Sequence, residues 1–153
     1  MTISSSPAAT DGKLTTAYVL TVAASALTLI GLYVMDWFPE SVWGGQSFLD
    51  FRTEHLAGRV GATELEWWES LGDTYFLIGY LVQTAAFVLL PFVVARYNRW
   101  HWLSALAVLG AAWQTTGLIG AAVVNTTLAP ALGPVAGVLA LIGWGLARSA
   151  VNE

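Results

Sequence analysis

Apolar residues in this chain gather into long runs, separated by stretches that hold nearly all of its charge. A helix that crosses a bilayer needs about 20 mostly apolar residues at about 1.5 Å of rise each. Residues 14–38 meet that requirement and are closed by Pro39, which has no N–H to continue a helix. Residues 74–95 form a second run, with Pro91 expected to kink its last turns. Residues 102–124 form a third. The fourth, 128–147, is interrupted by two prolines. A start near Leu128 puts Pro130 in the first turn and Pro134 at a kink, whereas a start at Pro134 extends the helix through Val151.

The segment between the first two runs, 39–73, is too long to be a bare connection and is expected to have structure of its own. Gly44-Gly45 marks a turn. SFLDFRTEHLAG then reads as a short helix with Phe48, Leu49, Phe51 and Leu56 on one broad side and Gly58 as its stop. Arg52 and His55 fall inside that apolar arc. A strand is the alternative, with Leu49 and Phe51 facing one way and Asp50 and Arg52 the other. Further on, TELEWWESLGD carries a capping-box spacing from Thr63 to Glu66. A helix over 64–71 sets Leu65, Trp68 and Leu71 near one face, and Asp73 suits the N-cap of the second span.

Composition adds the environment. Apolar residues make up 56 % of the 153 and charged residues 10 %, with a mean hydropathy of +0.64. Soluble domains carry roughly 25 % charged residues. This chain has too few polar side chains to cover a soluble globule. It is expected to be a single all-α domain, an integral membrane four-helix bundle with a structured outer loop between helices 1 and 2. Residues 1–13, small and polar, are expected to be a disordered cytoplasmic tail. Ala24-Ser25-Ala26 has the small-x-small form of a signal cleavage site, but the apolar run continues past it, so the segment reads as a retained anchor.

Charge orients the bundle. Lys13, Arg96, Arg99 and Arg148 fall on one side if both termini are cytoplasmic, which is the side that basic flanks favour. Arg52 and Arg59 lie on the other side with eight of the ten acids. An N-in, C-in plasma-membrane protein with an acidic outer face follows. The abundance of Ala, Gly and Val, with five Arg to one Lys, suggests a prokaryotic source.

Candidate chemistry is sparse. There is no cysteine, which removes disulfides, thiolate metal sites and thiol catalysis. Di-metal bundles use Glu-x-x-His pairs, and none occurs. Asp50 with Glu54, or Glu66 with Glu69, offers at most a loose oxygen site for a divalent cation. A haem held by His55 and His101 is excluded by their placement on opposite membrane faces, and Met35 with His55 is a poor pair. No cofactor or metal is expected. The spans contain no Asp, Glu, Lys, Arg or His over 14–35, 74–95, 103–124 or 128–147, and Asp36 lies at the outer edge of the first span, which disfavours an ion pathway. Their polar residues Gln83 and Gln114, with Asn125 at the end of span three, suit hydrogen bonds between helices.

Gly133-x-x-x-Gly137 has the spacing that lets helices approach closely. Trp37, Trp43, Trp67 and Trp68 fit one interfacial belt, and Trp100, Trp102 and Trp144 the other, with Trp113 midway in its span. Asn125-Thr126-Thr127 has the form of a glycosylation sequon. RYNRWHW suits lipid headgroups, and no patch suits nucleic acid. The layout of four spans with a long first outer loop bearing Trp43 resembles that of claudin-type membrane proteins. That family's loop carries paired cysteines, which this chain lacks, so the resemblance is one of topology and transfers no residue roles.

These features point to a non-catalytic accessory or assembly subunit of a larger membrane complex, surrounded by lipid and by other integral membrane subunits. Its expected contact residues are Trp43, Glu64, Glu66, Trp67, Trp68, Glu69, Gly133 and Gly137. The alternative is a small carrier for an apolar or lipid-like molecule, with a cavity near Gln83, Gln114 and Trp113. An outer-face enzyme using Asp36, Glu54, His55 or Glu66 is the third class.

Overall fold

The computed structural model describes residues 7–40, 45–58, 74–96 and 127–151. They are mostly helical, and three of the helices are long and apolar enough to cross a membrane, over Asp11–Tyr33, Tyr75–Phe92 and Ala129–Ala150. The expected span at 102–124 lies outside the described residues.

Helix α1 runs over Pro7–Tyr33, so residues 7–13 belong to a helix and not to a disordered tail. Proline is favoured at a first helical position, where its missing N–H has no partner to lose. The expected end at Phe38 is also corrected. The N–H groups of Val34 and Met35 both donate to the Ile30 carbonyl, at 3.1 and 3.0 Å, and the helix closes there. Asp36–Phe38 then forms strand β1, paired antiparallel with β2, Gln46–Ser47. Gly45 enters β2 with φ +71°, a conformation that a Cβ disfavours.

Helix α2 follows at once over Phe48–Leu56, so the strand alternative for this segment falls away. Its N-terminus is a reciprocal cap: the Asp50 N–H donates to Ser47 Oγ at 3.3 Å, and the Ser47 N–H donates to Asp50 Oδ2 at 3.3 Å. Gly58, at φ +68°, follows the last turn and stops the helix.

Helix α3 begins with a π-helical turn, Tyr75–Gly79, and continues as α-helix over Tyr80–Arg96 with Pro91 inside it. A 3₁₀ turn over Ala129–Ala131 leads into α4, Leu132–Val151. The start therefore falls between the two expected positions. Pro130 sits in the 3₁₀ turn, and Pro134 occupies the first turn of α4, where its lack of an N–H breaks no helical bond.

The helices pack as layers along their length. Ala17, Val94 and Ala147 form one end layer, and Ala24, Ala86, Phe87, Leu90, Ala136 and Ala140 form the middle. Helix α4 runs antiparallel to α1, with Leu132 beside Gly31 and Gly143 beside Thr21. The buried positions of α1 include Ala17, Thr21, Ala24, Thr28 and Gly31, which alternate spacings of four and three. On α4 the same alternation recurs at Ala136, Ala140, Gly143, Ala147 and Ala150. Both seams consist of small residues, so the backbones come close and gain dispersion contacts that lipid cannot replace.

Gly143 is the tightest point of this seam. A Cβ there would lie 2.9 Å from Thr21 Cγ2 and 3.0 Å from the Ala17 carbonyl oxygen.

Ser25 holds α3 to α1. Pro91 deletes the N–H that would otherwise bond the Phe87 carbonyl four residues earlier. The Ser25 hydroxyl donates to that same carbonyl from across the interface. It also lies 2.9 Å from the Thr21 carbonyl of its own helix, so a single hydroxyl hydrogen is shared between two acceptors. A carbonyl left unmet in an apolar layer is costly, and a neighbouring serine is one of the groups that makes a membrane-helix proline tolerable.

Two stability measurements in detergent follow. Gly143→Ala should destabilise the fold by about 1–3 kcal/mol through overpacking, whereas Gly145→Ala, with open space around it, should be neutral or slightly stabilising. Equal midpoints for the two variants would refute the close-approach account. Ser25→Ala should cost about 1–2 kcal/mol and should cost much less in a Pro91→Ala background, where the helix restores its own bond.

Candidate functional site

At the end of the bundle where α1 stops and α3 starts, the side chains form an aromatic cap. Phe48, the first residue of α2, is fully buried and is its hub. Its ring lies 4.9 Å from Trp37, 5.4 Å from Tyr80 and 5.8 Å from both Tyr75 and Phe76, measured between centroids. Phe51, one turn along α2, packs 4.6 Å from Phe38 and 5.5 Å from Phe76. Leu32, Ala129 and Met35 complete the cluster.

Polar groups in the cap serve the backbone. The Trp37 indole Nε1–H donates to the Gly31 carbonyl at 2.6 Å, one of the last carbonyls of α1 and so without a partner within the helix. Thr127 serves β1 twice: its N–H donates to the Trp37 carbonyl at 2.9 Å, and its hydroxyl donates to the Asp36 carbonyl at 2.5 Å. These two bonds tie the approach to α4 to the exit from α1.

Arg52 extends from α2 onto the π-helical turn. Its Nε–H donates to the Phe76 carbonyl, and its guanidinium carbon lies 5.1 Å from the centre of the Tyr80 ring. Such a cation–π contact attracts the charge to the ring face. His55, one turn further on, sits against Phe76 with centroids 4.7 Å apart. Both residues are half-buried, as their place within the apolar arc of α2 requires.

Two polar side-chain pairs lie below the cap, one within α3 and one between α1 and α3. The Tyr75 hydroxyl donates to Gln83 Oε1 at 2.8 Å, with both side chains buried. The Thr84 hydroxyl donates to the Tyr80 carbonyl, so in the 2.8 Å contact of Tyr33 with Thr84 the tyrosine is the donor.

Of the residues singled out from the sequence, Gln83 is therefore buried and hydrogen-bonded within α3. Gly133 and Gly137 are buried in α4. Trp43, Glu64, Glu66, Trp67, Trp68, Glu69, Gln114 and Asn125 lie outside the described residues. Asp36 is exposed on β1, while Glu54 and His55 are half-buried on α2. Among the described residues no group of three or more acids and histidines is placed to hold a metal ion.

From the sequence, Phe48 was expected only on the apolar side of a short helix, Ser25 only within a cleavage-like triplet, and Tyr75 had no assigned role. Ser47 three residues before Asp50 was a readable capping signal. Nothing local pairs Ser25 with Phe87, because the two meet only when α1 and α3 dock. What the described residues define is a membrane-type helical protein with three span-length apolar helices closed at one end by an aromatic lid. No protein-family model, curated protein or solved structure matches the chain.

The indole bond can be tested directly. Trp37→Phe keeps an aromatic ring against Phe48 but leaves the Gly31 carbonyl unmet, and should lower stability by about 1–3 kcal/mol. A thermal midpoint in detergent equal to that of the wild type would show that this donor is dispensable.

Proposed function

We propose that the chain is a non-catalytic accessory or assembly subunit of a larger membrane complex. It crosses the plasma membrane four times, with both termini in the cytoplasm and the aromatic cap outside. The observation that carries the reading is how the polar groups of the described spans are used. Ser25, Tyr33 and Thr84 are engaged in bonds that hold helices together or satisfy backbone, and Tyr75 and Gln83 bond each other within α3. A carrier or an enzyme needs polar groups directed at a ligand.

The outward surface supports the same view. Val19, Val22 and Ile30 on α1, Leu77, Leu81 and Phe92 on α3, and Val135, Val138 and Ile142 on α4 are large, apolar and exposed. Such surface suits lipid and the helices of other subunits equally.

Affinity purification of the full chain in a mild detergent, followed by identification of what comes with it, should recover one or more integral membrane proteins in fixed ratio. Recovery of the 16.3 kDa chain alone under every mild condition would sink the subunit reading. The doubly substituted Gln83→Leu, Gln114→Leu chain should still assemble; a carrier would lose its ligand instead.

A further inference from the structure

Among the described residues of the cap, Arg52 has no carboxylate as a counter-charge. Arg52 has five N–H donors, of which the Nε–H meets the Phe76 carbonyl. Among the described residues no carboxylate pairs with the guanidinium, whose only other partner is the Tyr80 ring. Asp50, two residues before it, is occupied by the Ser47 N–H and hydroxyl. Among the described residues the terminal N–H groups of this half-buried guanidinium meet no acceptor, which leaves them to water or an anion.

Depth narrows the choice. Phe76 is the second residue of the apolar span Tyr75–Phe92, so the guanidinium is anchored where hydrocarbon gives way to headgroups. Phospholipid phosphates lie just beyond that boundary. Two further features suit a phosphate there. The Nε bond and the Tyr80 contact hold the guanidinium in a fixed orientation, and its planar fork matches phosphate oxygens two at a time. Exposed apolar side chains Leu77, Ile78 and Leu81 line the α3 surface just below, where acyl chains attached to that phosphate would lie.

We propose that Arg52 binds the phosphate of a phospholipid at the membrane surface bearing the aromatic cap, with the acyl chains running down α3 past Leu77, Ile78 and Leu81. The bound lipid supplies acceptors to the terminal N–H groups of Arg52 and fixes the chain's depth in the bilayer.

The proposal concerns lipid and is independent of whether the chain joins a complex. The full-length protein in a non-ionic detergent is mixed with equimolar phosphatidylglycerol and diacylglycerol of identical acyl chains, and bound lipid is counted by native mass spectrometry. Phosphatidylglycerol adducts should exceed diacylglycerol adducts by about tenfold or more, the ratio expected of charge-assisted hydrogen bonds. Arg52→Gln should bring that ratio close to one, and Arg52→Lys, which keeps the charge but loses the fork, should fall between. Comparing the two lipids on the unmodified chain keeps the test independent of whether either variant folds. Inorganic phosphate added in excess should neither bind alone nor displace the lipid. Equal adducts of the two lipids on the wild type, an unchanged preference in a folded Arg52→Gln protein, or displacement by inorganic phosphate would each overturn the proposal.

Discussion

Backbone carbonyls that lose their helical partner must find a donor inside the protein, because a bilayer core supplies none. The described part of this chain breaks regular helix in several places, and cross-element donors meet the freed groups. Pro91 frees the Phe87 carbonyl and Ser25 meets it. The end of α1 frees the Gly31 carbonyl and the Trp37 indole meets it. The π-helical turn presents the Phe76 carbonyl to Arg52, and Thr127 serves two carbonyls of β1. Each of these bonds joins segments that are separate elements, so satisfying the backbone and assembling the bundle are the same event.

The small-residue seam between α1 and α4 follows from the same surroundings. Lipid tails solvate Leu and Val as well as a protein interior does, so burying large apolar side chains gives little drive for helices to associate. Close approach does, and Ala17, Thr21, Ala24, Gly143 and Ala147 permit it. Many of the large apolar side chains of α1 and α4, such as Val19, Ile30, Val135 and Ile142, are left exposed on the outside. Phe87 and Leu90 of α3 fill the middle layer, and at the cap several big rings fill the interior together. There the helices no longer run side by side, and Phe48 with Trp37, Tyr75 and Tyr80 occupies the space between them.

The extent to which the cap could be read in the sequence differs residue by residue. The turn at Gly45, the helix over SFLDFRTEHL and its stop at Gly58 follow from local preferences and are present. Arg52 and His55 looked out of place within an apolar arc, and the structure gives the reason: a carbonyl and a tyrosine face await the first, and a phenylalanine ring the second. The end of α1 was not legible. Val34 to Phe38 continue the apolar run with Asp36 as its one charged residue, and pairing with Gln46–Ser47 makes Asp36–Phe38 a strand.

Hydrophobic runs long enough to cross a bilayer, the absence of charge within them, and the punctuation by Gly and Pro were determined by the sequence alone. These depend on residues adjacent in the chain, and physical chemistry reads them locally. Which donor meets which carbonyl was decided by tertiary structure. Ser25 and Phe87 are 62 residues apart and Thr127 and Asp36 are 91 apart, so no local preference selects either pair. Docking of the elements brings them within reach, and for Ser25 and Phe87 the lack of water in a buried layer makes the bond matter.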